Sequence, residues 1–316
     1  MNILFVILGL IAIGWGADRF TDGAGALARR YRVPEIIIGL TIVGFGTSLP
    51  EFFITFMGAI EGSGDIAMGN VVGSNIVNAL LIVGLASLTC PINVERSTLL
   101  GDLPFSVVAC VMLAAMSFDG ELSRIDAVLL VAVFSIYLAR ALRMARNSRA
   151  EAAKGEEPAA APRSLLWCIG WLLVGMVCLV RGSRIFIYGA TEIAHQLGVS
   201  EAIIGLTIAA AGTSLPELAT SVVAAAKGQS GIALGNVIGS CVFNVFFAIG
   251  VTGVVVPMQS AGITTVDLCV MTIAQILVWL FAFTKMKIGR QEGAVLTLAY
   301  LAYMTWRILN EVGVTL

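Results

Sequence analysis

Charged residues are scarce in this chain of 316 residues: 12% are Asp, Glu, Lys or Arg, whereas 58% are hydrophobic. A soluble domain carries about 25% charged residues. The deficit excludes an ordinary soluble domain and predicts an integral membrane protein. The net charge is −1, so no basic surface suggests that the chain binds nucleic acid.

Clustered soft metal ligands are also lacking. His195 is the only histidine, and the six cysteines stand singly with no CxxC motif. Zinc and copper centres require converging thiolates or imidazoles, so neither is expected. HExxH and GxSG motifs are absent as well. The sequence therefore predicts neither a resident cofactor nor an enzyme.

Long apolar runs dominate what is present. A membrane-spanning helix needs about 20 predominantly apolar residues. Ten segments meet this requirement, at roughly 2–28, 34–60, 66–88, 99–117, 124–142, 164–193, 200–226, 231–256, 264–284 and 291–310. The only long polar stretch, residues 143–163, is predicted to be a solvated linker.

The linker separates two halves that repeat each other. A single constant shift aligns GLTIVGFGTSLPE (39–51) with GLTIAAAGTSLPE (205–217) and AMGNVVGSNIVN (67–78) with ALGNVIGSCVFN (233–244). One ungapped offset across both motifs indicates an internal duplication. We therefore expect a first five-helix repeat over residues 1–142 and a second over 164–316.

Five spans per half imply that the second half enters the membrane from the opposite side. The predicted fold is thus an all-α polytopic membrane protein with ten transmembrane helices, arranged as two inverted five-helix repeats. With both termini outside, 14 of the 19 basic residues fall in inside loops, including those of the 143–163 linker. The positive-inside rule favours this orientation in a cell membrane.

The repeated GTSLPE motif joins a helix breaker to a carboxylate inside a span. Pro50 has no backbone N–H, so the carbonyl near Gly46 loses its helical donor, and Gly44 loosens the same turn. Broken backbone at membrane depth is tolerated only inside protein or beside a water-filled cavity. Helices 2 and 7 are therefore predicted to be broken. Their polar groups are Thr47, Ser48 and Glu51 in helix 2 and Thr213, Ser214 and Glu217 in helix 7.

Helices 3 and 8 are predicted to supply the complementary groups. Ser74 and Asn78 share one helix face, as do Ser240 and Asn244, because each pair is four residues apart. Glycines in GxxxG patterns allow the neighbouring backbones to approach closely. Antiparallel packing of the halves would then create an all-oxygen site near the midplane. Calcium prefers six to eight oxygen ligands, and two glutamates would neutralise one such ion.

Taken together, the paired GTSLPE and GNVxGS motifs resemble the α-repeats of the cation/calcium exchanger superfamily, specifically its sodium/calcium exchanger branch. The resemblance implies a secondary antiporter that exchanges calcium for sodium by alternating access. It also implies that spans one and six slide against the remaining helices. Calcium, sodium and the lipid bilayer are the expected partners, and a monomer is expected to suffice for transport.

The resemblance further implies roles for individual residues. Glu51 and Glu217 would be the central calcium ligands, together with the backbone carbonyls of Thr47 and Thr213. One flanking sodium site would consist of Glu51, Ala210, Thr213, Ser214 and Ser240. Its mirror would consist of Glu217, Gly44, Thr47, Ser48 and Ser74. Asn78 and Asn244 match the two middle positions.

Several alternatives remain open from the sequence. Some relatives carry aspartate where this chain has Asn244, which leaves the counter-ion and stoichiometry undetermined. A proton- or potassium-coupled antiporter and a passive cation channel are therefore competing hypotheses. An intramembrane hydrolase is a more distant one. The two glutamates could also be structural, paired with Arg19 or Arg184.

Overall fold

The computed structural model describes residues 2–152, 163–199, 204, 210–259 and 263–311. Within those ranges the chain is almost entirely helical. Seven of the described helices are long and apolar enough to cross a membrane, or eight if one bent pair counts as a single span. The prediction of a helical polytopic membrane protein is thus confirmed.

Twelve helices have bounds among the described residues and are numbered in chain order; some of them contain π-helical turns. They are α1 (Asn2–Tyr31), α2 (Glu35–Thr47), α3 (Leu49–Ile60), α4 (Gly64–Thr89), α5 (Thr98–Met116), α6 (Arg124–Ala152), α7 (Leu165–Gln196), α8 (Ala210–Thr213), α9 (Leu215–Ala226), α10 (Ser230–Val255), α11 (Thr265–Lys285) and α12 (Arg290–Glu311). Four two-residue strands lie in the loops: β1 (Ile92–Asn93), β2 (Glu121–Leu122), β3 (Met258–Gln259) and β4 (Lys287–Ile288).

Observed helices and predicted spans differ at one place, while one predicted span is only partly described and another is less apolar than the rest. Helix α6 continues through residues 143–152, which were predicted to belong to the linker, and residues 153–162 lie outside the described part of the chain. Much of the predicted seventh span, 200–226, also lies outside it, and α9 alone has only 12 residues. Helix α12 has 22 residues but is less apolar than the seven spanning helices.

The break predicted in the second span coincides with a bend of 45° between α2 and α3. Ser48 stands between the two helices with φ −87° and ψ 3°, and Pro50 lies in the first turn of α3. Ser214 stands between α8 and α9 with φ −89° and ψ 7°, again ahead of a proline. Proline has no backbone N–H to donate to the preceding turn, and its ring clashes with a carbonyl of that turn. Both copies of the motif therefore end one helix and begin another.

Helices α4 and α10 form the buried centre, and each contains a π-helical turn that the sequence did not predict. These turns are Val77–Ile82 in α4 and Phe243–Ile249 in α10. By contrast, only 28% of the apolar stretch of α1 and 22% of that of α7 is buried. Single π-helical turns within α-helices are frequent at functional sites, because they leave backbone and side-chain groups without their usual partners.

Short strand pairs connect the two halves. Strand β1 pairs with β4, with Ile92 opposite Ile288, and β2 pairs with β3, with Glu121 opposite Gln259. The shift that aligns the repeated motifs also maps β1 onto β3 and β2 onto β4. The two antiparallel pairs are therefore counterparts of each other, as the internal duplication requires.

Glycines hold α1 and α7 together along their length. A Cβ atom on Gly9 would come within 2.7 Å of the Phe186 backbone, and one on Gly16 within 3.0 Å of the Gly175 carbonyl. Further along α1, Gly23 lies against the Cys168 carbonyl. Residue numbers at these contacts increase along α1 and decrease along α7, so the two helices are antiparallel. Their close approach depends on glycine, as in other small-residue membrane interfaces.

Candidate functional site

Two buried glutamates lie at the broken turns. Glu51 is in the first turn of α3 and Glu217 in the first turn of α9, and their exposed fractions are 1% and 0%. A carboxylate in the first turn of a helix is stabilised by the unsatisfied N–H groups there. The motif therefore positions both acids at helix N-termini inside the protein.

Each carboxylate binds a serine from the opposite half of the chain. The Ser48 hydroxyl donates to Glu217 Oε1 at 3.0 Å. The Ser214 hydroxyl lies 3.4 Å from Glu51 Oε1. Both serines are the residues that separate the two helices of a broken span. The two breaks thus face each other.

Ser74 and Ser240 add hydroxyls from the two central helices. Ser240 Oγ donates to the Gly44 carbonyl at 3.2 Å, and Ser214 Oγ lies 3.4 Å from Ser74 Oγ. The resemblance had grouped Ser240 with Ser214 and Ser74 with Gly44. These hydrogen bonds do not decide which ion each serine would contact, so that grouping stays a prediction.

Two asparagines that sequence reasoning did not assign fix the acidic turns. Asn236 Nδ2 donates to the Glu217 carbonyl at 3.1 Å and to Ser221 Oγ at 2.8 Å. In the other half, Asn70 Nδ2 donates to the Glu51 carbonyl and to Thr55 Oγ1, both at 3.1 Å. The repeated Gly-Asn dipeptide that opens GNVxGS was the available signal for these residues.

The Thr47 side chain belongs to the same hydrogen-bond network, whereas Thr213 borders a cavity and Ala210 begins the short helix α8. Thr47 is fully buried, and its hydroxyl donates to Asn236 Oδ1 at 3.0 Å. Thr213 is half-buried and lines a neighbouring cavity. For Ala210 the structure describes only the backbone, in the first turn of α8.

Four buried oxygens at this site have no hydrogen-bond partner among the described residues. They are Glu51 Oε2, Glu217 Oε2, Asn78 Oδ1 and Asn244 Oδ1. Asn78 and Asn244 are each 1% exposed and lie in the π-helical turns of α4 and α10. Buried polar atoms in folded proteins are nearly always paired. These unpaired acceptors on four helices are candidate ligands for a cation.

No arginine neutralises the acids among the described ion pairs. Arg19 lies 3.6 Å from Asp18 and from Asp22, and its guanidinium stacks over Trp15 and Trp171. Arg184 lines a cavity of about 590 Å³. The structural alternative, in which Arg19 or Arg184 pairs with a site glutamate, therefore has no support in these contacts.

That cavity reaches the broken turns from the side of α7. Its wall includes Gly46 and Pro50 from the first half and Gly212, Thr213 and Pro216 from the second. On the opposite wall it is lined by Met176, Val180, Ser183 and Ile187 of α7. It therefore opens beside the residues that carry Glu51 and Glu217.

Close backbone packing positions α2 against α10. A Cβ atom on Gly239 would meet the Leu40 carbonyl at 2.5 Å, and one on Gly235 would meet Gly39 Cα at 2.9 Å. The GxxxG pattern in α10 thus acts as predicted. In the first half, Gly69 and Gly73 form the equivalent GxxxG pattern. By the repeat, they would pack against residues 205 and 206, which lie outside the described part of the chain.

Glu51 and Glu217 are the two acids of the site among the residues that the structure describes. Among the described residues, no group of three or more His, Cys, Asp or Glu side chains could hold a metal ion. The remaining ligands at the site are hydroxyl, amide and carbonyl oxygens. Such a donor set suits hard cations, and its two negative charges match one divalent ion.

Comparisons with known proteins agree with this chemistry. The family described as "Sodium/calcium exchanger protein" matches residues 1–143 and 167–309. The putative antiporter CaxA of Alkalimonas amylolytica is 35% identical, covering 95% of this chain and 96% of its own. The sodium/calcium exchanger MaX1 of Methanosarcina acetivorans is 31% identical, with 96% and 97% covered. A solved structure of the sodium-calcium exchanger NCX_Mj superposes with a TM-score of 0.83 at 32% identity, covering 96% and 97%.

Proposed function

The chain belongs to the sodium/calcium exchanger protein family, whose members are membrane cation exchangers, and on that premise we propose that it exchanges sodium for calcium across the membrane by alternating access. The four unpaired oxygens of Glu51, Glu217, Asn78 and Asn244 carry this proposal. Leaving them unpaired in a bilayer interior is costly. A bound cation offsets that cost.

The cargo ion would be held between the two halves. Glu51 and Glu217 are the central calcium ligands, aided by the backbone carbonyls of Thr47 and Thr213. Sodium ions take flanking positions that share the same carboxylates. Ser240 would belong to the flank of Thr213 and Ser214, and Ser74 to the flank of Thr47, Ser48 and Gly44, as the family resemblance implies. Asn78 and Asn244 provide amide oxygens in the middle, and the Ala210 carbonyl contributes on the side of Thr213.

Ten transmembrane helices in two inverted repeats are the architecture that we propose. Supporting features are the constant shift between matching elements of the two halves and the antiparallel packing of α1 against α7. Helix α12 would be the tenth span, and the segment from residue 200 to Ala226 would be the broken seventh. Both termini would lie outside and the 143–163 linker in the cytoplasm, because 14 of the 19 basic residues then face inward.

Exchange rather than leakage follows from the electrostatics of the site. When no cation is bound, two carboxylates face each other in a medium of low dielectric constant, and their movement across the membrane is disfavoured. A loaded site is neutral or nearly so. The protein would therefore change its accessibility when it is loaded with calcium or sodium, which couples the two fluxes.

Flux measurements in proteoliposomes test this function. Vesicles loaded with sodium and diluted into sodium-free medium with radioactive calcium should accumulate calcium, and vesicles without a gradient should not. Glu51→Gln protein is the inactive control. Uptake without any gradient would identify a channel. Uptake driven by a potassium or proton gradient, but not by a sodium gradient, would show that the counter-ion is potassium or the proton instead of sodium.

A further inference from the structure

Lys227, at the end of α9, is bound to the middle of α1. Its Nζ lies 2.7 Å from Asp18 Oδ1 and 2.8 Å from Asp22 Oδ1. The same ammonium donates to the Asp18 carbonyl at 2.8 Å and to Thr21 Oγ1 at 3.1 Å. Four oxygens of one α1 segment thus surround a single charge. This contact ties α1 to the end of α9.

The second half contains an equivalent pair of charged residues, in which the positions of the acid and the base are exchanged. The shift that aligns the two halves maps Asp18 onto Arg184 and Lys227 onto Glu61. The first pair has its acid on α1 and its base after α9. The second has its base on α7 and its acid after α3. Both pairs are complementary in sign, although no residue type is shared between them.

Only the first pair is formed in this structure. Arg184 and Glu61 are both described and both exposed, and no ion pair joins them. The cavity of about 590 Å³ separates their helices. Arg184 lines it on one side and Met57 of α3 on the other, and Glu61 follows Met57 by one helical turn. Closing this cavity would bring Arg184 towards Glu61.

Helices α1 and α7 pack so closely that we expect them to move as one unit. Their glycine contacts leave no room for a Cβ atom at Gly9, Gly16, Gly175 or Gly182. A shift of α7 towards α3 therefore carries α1 with it, past the end of α9. In an inverted repeat, the arrangement of one half in one state becomes that of the other half in the opposite state.

We propose that Lys227 with Asp18 and Asp22, and Glu61 with Arg184, are two latches that form alternately on opposite faces of the protein. The link to transport rests on the proposed function, because each latch would stabilise the state in which the cation site is open to one side of the membrane. The Lys227 side chain is 25% exposed and the two aspartates are 38% and 35% exposed. Ion pairs this exposed are weak, so each latch biases the equilibrium without locking it.

Crosslinking of cysteine pairs tests the latches. In the full-length protein, with the six native cysteines replaced by alanine, one variant carries Asp18→Cys and Lys227→Cys, and another carries Glu61→Cys and Arg184→Cys. A short bifunctional thiosulfonate, matched in reach to a lysine–carboxylate contact, is added in sodium, in calcium or in neither. We expect both pairs to crosslink, each faster under conditions that slow the other.

Adding Lys227→Ala to the Glu61→Cys/Arg184→Cys protein should raise its crosslinking rate roughly fivefold, because the variant loses the weak ion pairs with Asp18 and Asp22. Lys285→Ala removes an exposed lysine without a described ion pair and should leave the rate unchanged. The proposal fails if the second pair crosslinks under none of the conditions, or if Lys227→Ala behaves like Lys285→Ala. Reciprocal crosslinking without sodium–calcium exchange would retain the latches and reject the proposed function.

Discussion

The Ser48 hydroxyl donates to the carboxylate of Glu217, 169 residues away, at a distance of 3.0 Å. The reciprocal contact, Ser214 to Glu51, spans 163 residues at 3.4 Å. The site is therefore shared between the halves, because each acid is oriented by the break in the other half. Neither half could form it alone.

Removing the charge of either site glutamate should abolish exchange. Glu51→Gln and Glu217→Gln keep the volume of the side chain but leave one negative charge against a divalent ion. We expect sodium-dependent calcium uptake in proteoliposomes to fall to the level of empty vesicles, while size-exclusion profiles stay unchanged. Glu151→Gln alters an exposed glutamate and should retain full activity. Full transport by either site variant would remove the central assignment.

Loss of the Ser48 hydroxyl should weaken the site without destroying it. Ser48→Ala removes one hydrogen bond to a carboxylate, which contributes about 1.5–3 kcal/mol. The calcium concentration for half-maximal exchange should rise about tenfold or more. Ser135→Ala is a matched control, because this exposed hydroxyl bonds only the Val131 carbonyl of its own helix. Equal kinetics in the two variants would contradict the cross-half contact as a functional feature.

The asparagine that anchors the second acidic turn should affect both stability and transport. Asn236→Ala removes the side-chain donor to the buried Glu217 carbonyl and to Ser221 Oγ, whereas the Thr47 hydroxyl keeps the Val43 carbonyl as its acceptor. A buried polar group without a partner costs about 1–3 kcal/mol. We expect a lower midpoint of thermal unfolding in detergent and a lower exchange rate. Asn147→Ala, on an exposed face of α6, should change neither, and an unaffected Asn236→Ala protein would argue against an anchoring role.

A third acid at the site should make transport sensitive to pH. Asn244→Asp adds a carboxyl group where the amide oxygen has no partner among the described residues. A proton can then compete with the cargo ion, so calcium exchange should decrease as the pH falls through neutrality, whereas divalent binding persists. Asn78→Asp is the counterpart in the other half and provides a comparison. Identical pH profiles for Asn244→Asp and the parent protein would refute this expectation.

The glycine interface between α1 and α7 should not tolerate a methyl group. A Cβ on Gly16 would lie 2.8 Å from Cys178 Cβ and 3.0 Å from the Gly175 carbonyl, whereas Gly14 has open space. Overpacking of this kind costs about 1–3 kcal/mol. We expect Gly16→Ala to lower the unfolding midpoint and slow exchange, and Gly14→Ala to leave both unchanged. Similar behaviour of the two variants would show that the close packing is not required.

Much of the fold follows from local sequence. Apolar runs of spanning length predict the helices, and the prolines at 50 and 216 predict the two breaks. The family resemblance predicted from the paired motifs is confirmed. Two features were not predicted: the π-helical turns around Asn78 and Asn244, and the continuation of α6 through residues 143–152. The π-helical turns lie in buried helices, where packing against neighbours decides the backbone and the periodicity of one segment gives no signal. Residues 143–151 are exposed or half-buried, and their continuation of α6 agrees instead with the helix propensity of Ala, Arg, Met and Glu.

By itself, the sequence determined that two acids lie inside apolar spans, each behind a helix breaker, with one copy in each half of the chain. These properties are local, since they depend on residue type and on the missing N–H of proline. Only the tertiary structure decided which atoms of the two halves meet: Ser48 Oγ at Glu217 Oε1, Ser214 Oγ at Glu51 Oε1 and Ser240 Oγ at the Gly44 carbonyl. The reason is that side chains from different helices meet according to the relative positions and angles of those helices. Packing of the whole bundle sets these positions, and no single segment encodes them.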